Sequence, residues 1–268
     1  MTPLGLRALL ALTAACCAAA PLACSSEPSA SASASDAGAV VSLGDAAFVD
    51  AAAPDGNKLV VDGGFAAPDG GVLRADRFAT KVVSVTYGDC AGFGQSSMPD
   101  VVLGPPAGAG ALAGSLDVVT LGTKGEIVLS VEPNEIVDGP GADFIVFENA
   151  FFAAGDPERP SAELGEVSVS DDGATWTTFP CSPGPGPVYG SCAGWRPVYS
   201  APGNGISPVD PAVSGGEAFD LADVGLPRAR FVRVRDLATV TCPSDPASRP
   251  TNAGFDLDAI AIVNAKDP

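Results

Sequence analysis

From Phe78 onward, short apolar runs alternate with turns rich in Gly, Pro and Asp, and no stretch sustains the three-to-four-residue apolar spacing of a helix. The runs predict strands over residues 81–87, 116–121, 126–132, 143–148, 166–170, 176–179, 230–236 and 256–263. Some alternate cleanly. Ile127, Leu129 and Val131 point one way, and Glu126, Ser130 and Glu132 the other; Val167 and Val169 oppose Glu166, Ser168 and Ser170. Such strands are expected to keep one face wet. Residues 144–147 (Phe, Ile, Val, Phe) do not alternate and read as a strand buried on both faces. Asp171-Asp-Gly173 supplies a tight turn between a hairpin pair. Many short strands with regular turn signals predict an all-β fold, a sandwich of jelly-roll type.

The doubly buried strand carries Asp143 at its entrance and Glu148 with Asn149 at its exit, and no Lys or Arg lies between Lys124 and Arg159. Carboxylates at the ends of a buried strand are costly unless paired. A bound metal is one answer, and calcium (Ca2+) fits because every ligand on offer is an oxygen. The plainer answer is that these acids are solvated at the strand mouths or cap loops. Asp256 and Asp258, two apart in the last strand, share a face and suit one cation.

Charge narrows the classes of function. There are 14 Lys and Arg against 32 Asp and Glu, a formal net charge of −18, which argues against nucleic acid as a partner. The chain has no histidine, which removes imidazole bases, Ser-His-Asp and Cys-His catalysis, and the usual zinc sites. Chemistry by paired carboxylates survives.

The N-terminus has Arg7, then an apolar run from Ala8 to Ala20, the pattern of a secretory signal over residues 1–23. Residues 24–76, rich in Ala, Ser, Gly, Asp and Pro, read as a flexible tether, with a short apolar island at 58–61 that either docks or does nothing. Residues 77–268 are the expected folded domain. Four of the seven cysteines fall in that domain: Cys90, Cys181, Cys192 and Cys242. In an exported chain they are expected to form two disulfides, with three pairings possible. Cys181–Cys192 is favoured because it closes a Pro/Gly-rich loop, which leaves Cys90–Cys242.

Two resemblances add to this. Pro21-Leu-Ala-Cys24 resembles the cleavage box of bacterial lipoproteins, departing from it at Pro21; it implies lipidation at Cys24, and Ser25 implies an outer-membrane or cell-surface address. Membrane contact is then expected only through that lipid, and the protein is expected to be a monomer. In the domain, the hairpin from Val167 to Trp176, the strand Arg228-Ala-Arg-Phe-Val-Arg-Val234 and the closing strand Phe255-Asp-Leu-Asp-Ala-Ile-Ala-Ile262 resemble discoidin-like, galactose-binding-like β-sandwich domains of bacterial cell-surface proteins. That resemblance implies a jelly-roll sandwich, and a structural calcium near the closing strand with Asp258 at the matching position. It does not by itself imply galactose binding.

The loop after Val188 carries Tyr189, Trp195, Arg196 and Tyr199 in a chain otherwise poor in aromatics. These residues either stack a sugar ring or fold inward as a small core under the loop. Arg228, Arg230, Arg233 and Arg235 gather basic charge, for neutralisation by nearby acids or for an anionic ligand. Together the sequence points to a non-catalytic surface lipoprotein binding carbohydrate or another surface protein. The alternative is a glycosidase or lyase using a carboxylate pair, Asp143 with Glu148 or Asp256 with Asp258; a purely structural role in the envelope is the third reading.

Overall fold

A computed structural model describes residues 58, 60–61, 63–67, 70–183, 189–239 and 241–266. The signal, Cys24 and the tether as far as residue 57 lie outside the described residues. The described part is an all-β sandwich. In chain order its strands are β1 (Val60–Val61), β2 (Gly64–Ala66), β3 (Val72–Arg74), β4 (Lys81–Thr86), β5 (Val119–Thr120), β6 (Glu126–Ser130), β7 (Ile136–Val137), β8 (Phe144–Phe147) and β9 (Phe151–Phe152). There follow β10 (Pro160–Ser161), β11 (Gly165–Ser170), β12 (Thr177–Thr178), β13 (Glu217–Phe219), β14 (Arg228–Ala229), β15 (Phe231–Asp236), β16 (Asp256–Leu257) and β17 (Ala259–Ile262).

One sheet has the order β12-β11-β15-β6-β4 and the facing one β13-β8-β17, all antiparallel. Alternation explains the core. Ile127 and Leu129, Val167 and Val169, and Val232 and Val234 point from the large sheet at Phe144, Val146, Phe219, Ile260 and Ile262 from the small one. The other face of the small sheet, Ile145, Phe147, Ala259 and Ala261, is covered by a second cluster with Phe78 and Val198, against which Phe65, Leu73 and Val209 pack. This is why residues 144–147 are apolar without alternation: each side of β8 meets a different layer. β4, at the sheet edge, bulges between Val82 and Ser84 and turns Val83 out to solvent.

Three expectations are corrected. The stretch 58–76, read as tether, contains the β1-β2-β3 sheet, whose Phe65 meets Phe78 edge-on at 5.5 Å and packs with Leu73 on the outer face of the small sheet. The strand expected over 116–121 shortens to β5, with Leu116 79% exposed. The wet face of β11 is not wet: Ser168 and Ser170 are buried. The Arg233 guanidinium lies 4.6 Å from the Trp176 ring and donates to the Ser168 hydroxyl, roofing that face with polar groups that look apolar or charged in the sequence. The four arginines are neutralised locally, Arg228 and Arg230 by Asp171, Arg233 by Glu126 and Arg235 by Glu166.

Candidate functional site

The five acids and amides singled out in the sequence do not form one site; they divide among three places. Asp143, at the entrance of β8, is fully buried and fully used. Its Oδ1 accepts from Gly139 N (2.9 Å) and Asn264 Nδ2 (2.8 Å), and its Oδ2 accepts from Leu221 N (2.7 Å). Asp138 and Asp220 come near it, but Asp220 caps the turn at Ala222 N, so this group is a clamp on three chain segments.

Asp258 lies between β16 and β17, where the chain leaves β5 as its partner and joins β8. That switch separates it from Asp256, against the expectation that the two share a cation. Asp258 accepts from Ala107 N and lies in the field of the Lys58 ammonium. Lys58 also donates to the carbonyls of Val101 (2.9 Å) and Leu103 (3.0 Å) and lies 3.8 Å from Asp117. Burial pushes the Asp258 carboxyl up to about 8 in spite of Lys58, and burial lowers Lys58. The position at which the resemblance implies calcium is thus already offset by a cation of the chain itself, which pairs with Asp117 and acts on Asp258.

The third place holds the unspent charge. Glu148 and Asn149 follow β8, Asp256 starts β16, and Glu163 precedes β11; one carboxylate oxygen of each acid lies within 4.8 Å of the others. Asp256 Oδ1 accepts from the Thr120 hydroxyl and Oδ2 from Asn149 Nδ2 (3.3 Å). Glu163 Oε1 accepts from Gly254 N (3.2 Å), Glu148 Oε1 makes a long contact with Asp256 N (3.4 Å), and the Asn149 backbone N–H also acts on the Glu148 carboxyl. Glu148 Oε2 and Asn149 Oδ1 are buried with no donor. Burial, then the charges of Asp256, Glu163 and Glu217, hold the Glu148 carboxyl well above the carboxylate range. Glu163 is raised to about 8 by burial and then by Asp256. Glu163 has no local signal in the sequence; only the fold brings it to Glu148.

Beside this cluster lies the aromatic loop. Tyr189 and Trp195 are 5.8 Å apart by ring centroid, and the Arg196 guanidinium covers the Trp195 ring at 4.7 Å. Tyr199 is 38% exposed, with its backbone paired to Ser214 instead. The loop is held from beneath by Glu217 of β13, which accepts from Gly194 N (2.9 Å), Trp195 N (2.8 Å) and Arg196 N (2.6 Å). The Cys181–Cys192 disulfide closes its approach, and Cys90–Cys242 is the other bridge, as the spacing favoured. Glu217 was legible after the fact: in Gly216-Glu-Ala-Phe219 it shares a strand face with the core residue Phe219. Glu163 N donates to Gly194 O (3.0 Å), so loop and carboxylate cluster abut.

No protein-family model and no curated protein matches the chain. A solved structure described as a glycoside hydrolase is similar over 69% of this chain and 31% of that one, with 11% identity and a TM-score of 0.28. The chain thus spans under a third of that structure's length, and a likeness this slight carries no argument about activity.

Burial pushes Glu217 up to about 7 against the hydrogen bonds of the three N–H groups. A carboxyl raised in the folded state stabilises most below its unfolded value near 4.5, and that stability is lost as pH rises through about 7. In metal-free buffer the melting temperature is therefore expected to fall between pH 5 and pH 8.5, with a contribution from Glu217 on the order of 3 kcal/mol. Thermal melts across that range check the sign; a melting temperature that rises with pH would contradict it.

Proposed function

We propose that the protein is an exported, non-catalytic β-sandwich module that holds a carbohydrate or another cell-surface component on the loop bearing Tyr189, Trp195 and Arg196, anchored through a lipid on Cys24. The observation that carries this reading is the grip of one buried carboxylate on three successive backbone N–H groups. Glu217 fixes residues 194–196 from below, the Trp195 indole N–H donates to Cys192 O, and the Arg196 guanidinium lies over the Trp195 ring, so the side chains sit on a loop already ordered. A preorganised loop loses little entropy on binding, and rings beside guanidinium donors suit the apolar faces and hydroxyls of a sugar. With a net charge of −18, a neutral glycan is favoured over a polyanion.

A hydrolytic role fits less well. A glycosidase needs two carboxyl groups flanking an open sugar cleft. Glu148 is 2% and Asp256 6% exposed, which leaves a glycosidic oxygen no access to either. The cleft of about 220 Å³ lined by Phe65, Leu73, Pro105, Pro106, Ile206 and Pro208 contains none of the clustered acids.

An array of neutral and acidic glycans, probed with the purified chain and with Trp195→Ala, tests the proposal. Binding to a neutral glycan, reduced more than about tenfold in the variant while its melting temperature moves little, is the expected result. Binding indifferent to Trp195→Ala, or cleavage of a polysaccharide by the wild type, would contradict it.

A further inference from the structure

We infer that Glu148, Glu163 and Asp256 hold a divalent cation of the calcium type, with the Asn149 amide against Asp256. The inference stands apart from what the aromatic loop binds, because it rests on hydrogen-bond bookkeeping within the cluster.

Buried acids in this domain share one design problem, and elsewhere it is solved within the chain. Asp143 has a donor for each oxygen, from Gly139, Asn264 and Leu221. Asp258 has the Ala107 N–H and the nearby positive charge of Lys58. The cluster at Glu148 has donors but no cation, and one Glu148 oxygen has no donor. Its donors, the Thr120 hydroxyl and Asn149 Nδ2 to Asp256, Gly254 N to Glu163 and Asp256 N to Glu148 Oε1, fix the orientation of the three acids without adding a positive charge. Glu148 Oε2 is left buried without a donor, and so is Asn149 Oδ1. Every charge that acts on Glu148 is negative: Asp256, Glu163 and Glu217. A buried carboxylate costs several kilocalories unless paired or bound to metal, and its like-charged neighbours raise that cost. A cation among the three carboxylates supplies the missing partner for Glu148 Oε2.

The chemistry of the donors selects the ion. All are hard oxygens, three of them anionic. The chain has no histidine, and the four cysteines of the domain are paired in disulfides, so soft or borderline metals have no ligand here. Carboxylates arriving from three separate segments give an irregular shell, which calcium accepts more readily than magnesium. The ion would tie the exit of β8 and the start of β16 to the segment leading into β11. It would therefore link both sheets at the end of the sandwich where Glu163 N meets Gly194 O.

Isothermal titration of calcium chloride into the chelator-stripped chain, paired with thermal melts, is the test. The expected result is one calcium per chain and a rise in melting temperature of about 5–10 °C at a roughly hundredfold excess over Kd. Glu148→Gln is expected to melt higher than the stripped wild type, since it removes one repelling charge, and to lose the calcium-dependent rise. Glu163→Gln is the second variant, expected to weaken calcium binding more than about tenfold. No binding heat with identical melts in calcium and chelator, an unchanged rise in Glu148→Gln, or an equal rise with magnesium would overturn the assignment.

Discussion

Asp143→Ala is expected to destabilise the domain by about 3–6 kcal/mol, because three donors lose their acceptor in a place water reaches poorly. Gly139 N belongs to the turn that opens β8, Leu221 N to the turn after β13, and Asn264 Nδ2 to the segment after β17. One carboxylate thus joins three segments distant in sequence, and the Asp143 backbone adds a bond to Phe219 O and accepts from Val263 and Asn264. Alanine keeps those backbone bonds and removes only the carboxylate. Asp143→Asn retains the shape and an acceptor oxygen, so it is expected to lose less, with the amide nitrogen opposed to one of the N–H groups. Urea unfolding of the two variants measures the difference. A loss under about 1 kcal/mol for Asp143→Ala would show that solvent satisfies these donors.

The second large effect lies in the disulfides. Cys90–Cys242 spans 152 residues and Cys181–Cys192 spans 11. If the bridges act by restricting the unfolded chain, the first contributes about 5 kcal/mol and the second about 3. The double variant Cys90→Ala with Cys242→Ala is therefore expected to be the less stable of the two bridge deletions. The folded state points the same way. The segment after Cys242 is almost wholly exposed; backbone contacts to Cys90 and Phe93 near Thr251 and Ala253 and the ion pair of Arg249 with Asp89 (3.5 Å) are among its links to the sandwich. Non-reducing urea unfolding of both double variants, with intact mass to confirm that the remaining bridge is closed, decides the order. A larger loss from the short bridge would mean that its role in closing the aromatic loop outweighs chain entropy.

The sequence was most informative where burial follows a two-residue period. Ile127 and Leu129 on β6, and Val232 and Val234 on β15, enter the core as their alternation predicts. Phe144-Ile-Val-Phe147 announces its two covered faces by having no polar position. The pattern failed where polar groups are buried by partners remote in sequence. Ser168 and Ser170 alternate as if wetted, yet Trp176 and Arg233 cover that face. Asp256 and Asp258 alternate as if they shared one face of one strand, but the strand changes partners between them, from β5 to β8, and alternation carries no information about such a switch.

Charge pairing was even less legible. Lys58 pairs with Asp117 and acts on Asp258 from two hundred residues away, and the local count of basic residues around β8 gave no hint of it. Glu163 sits in an unremarkable stretch before β11 and matters only because antiparallel packing delivers it to Glu148. Disulfide pairing, by contrast, was readable from the loop that Cys181 and Cys192 enclose, because a short Pro/Gly-rich loop brings its ends together at low entropic cost.

The proposed role of the Glu148, Glu163 and Asp256 carboxylates is to hold a divalent cation. A crystal structure of the calcium-equilibrated chain tests this directly. The account predicts a strong density peak among the three carboxylates, with Glu148 Oε2 and its neighbours about 2.3–2.6 Å away. A space among them that is filled by water or left empty, with Glu148 and Glu163 sharing a proton in place of a metal, would contradict it.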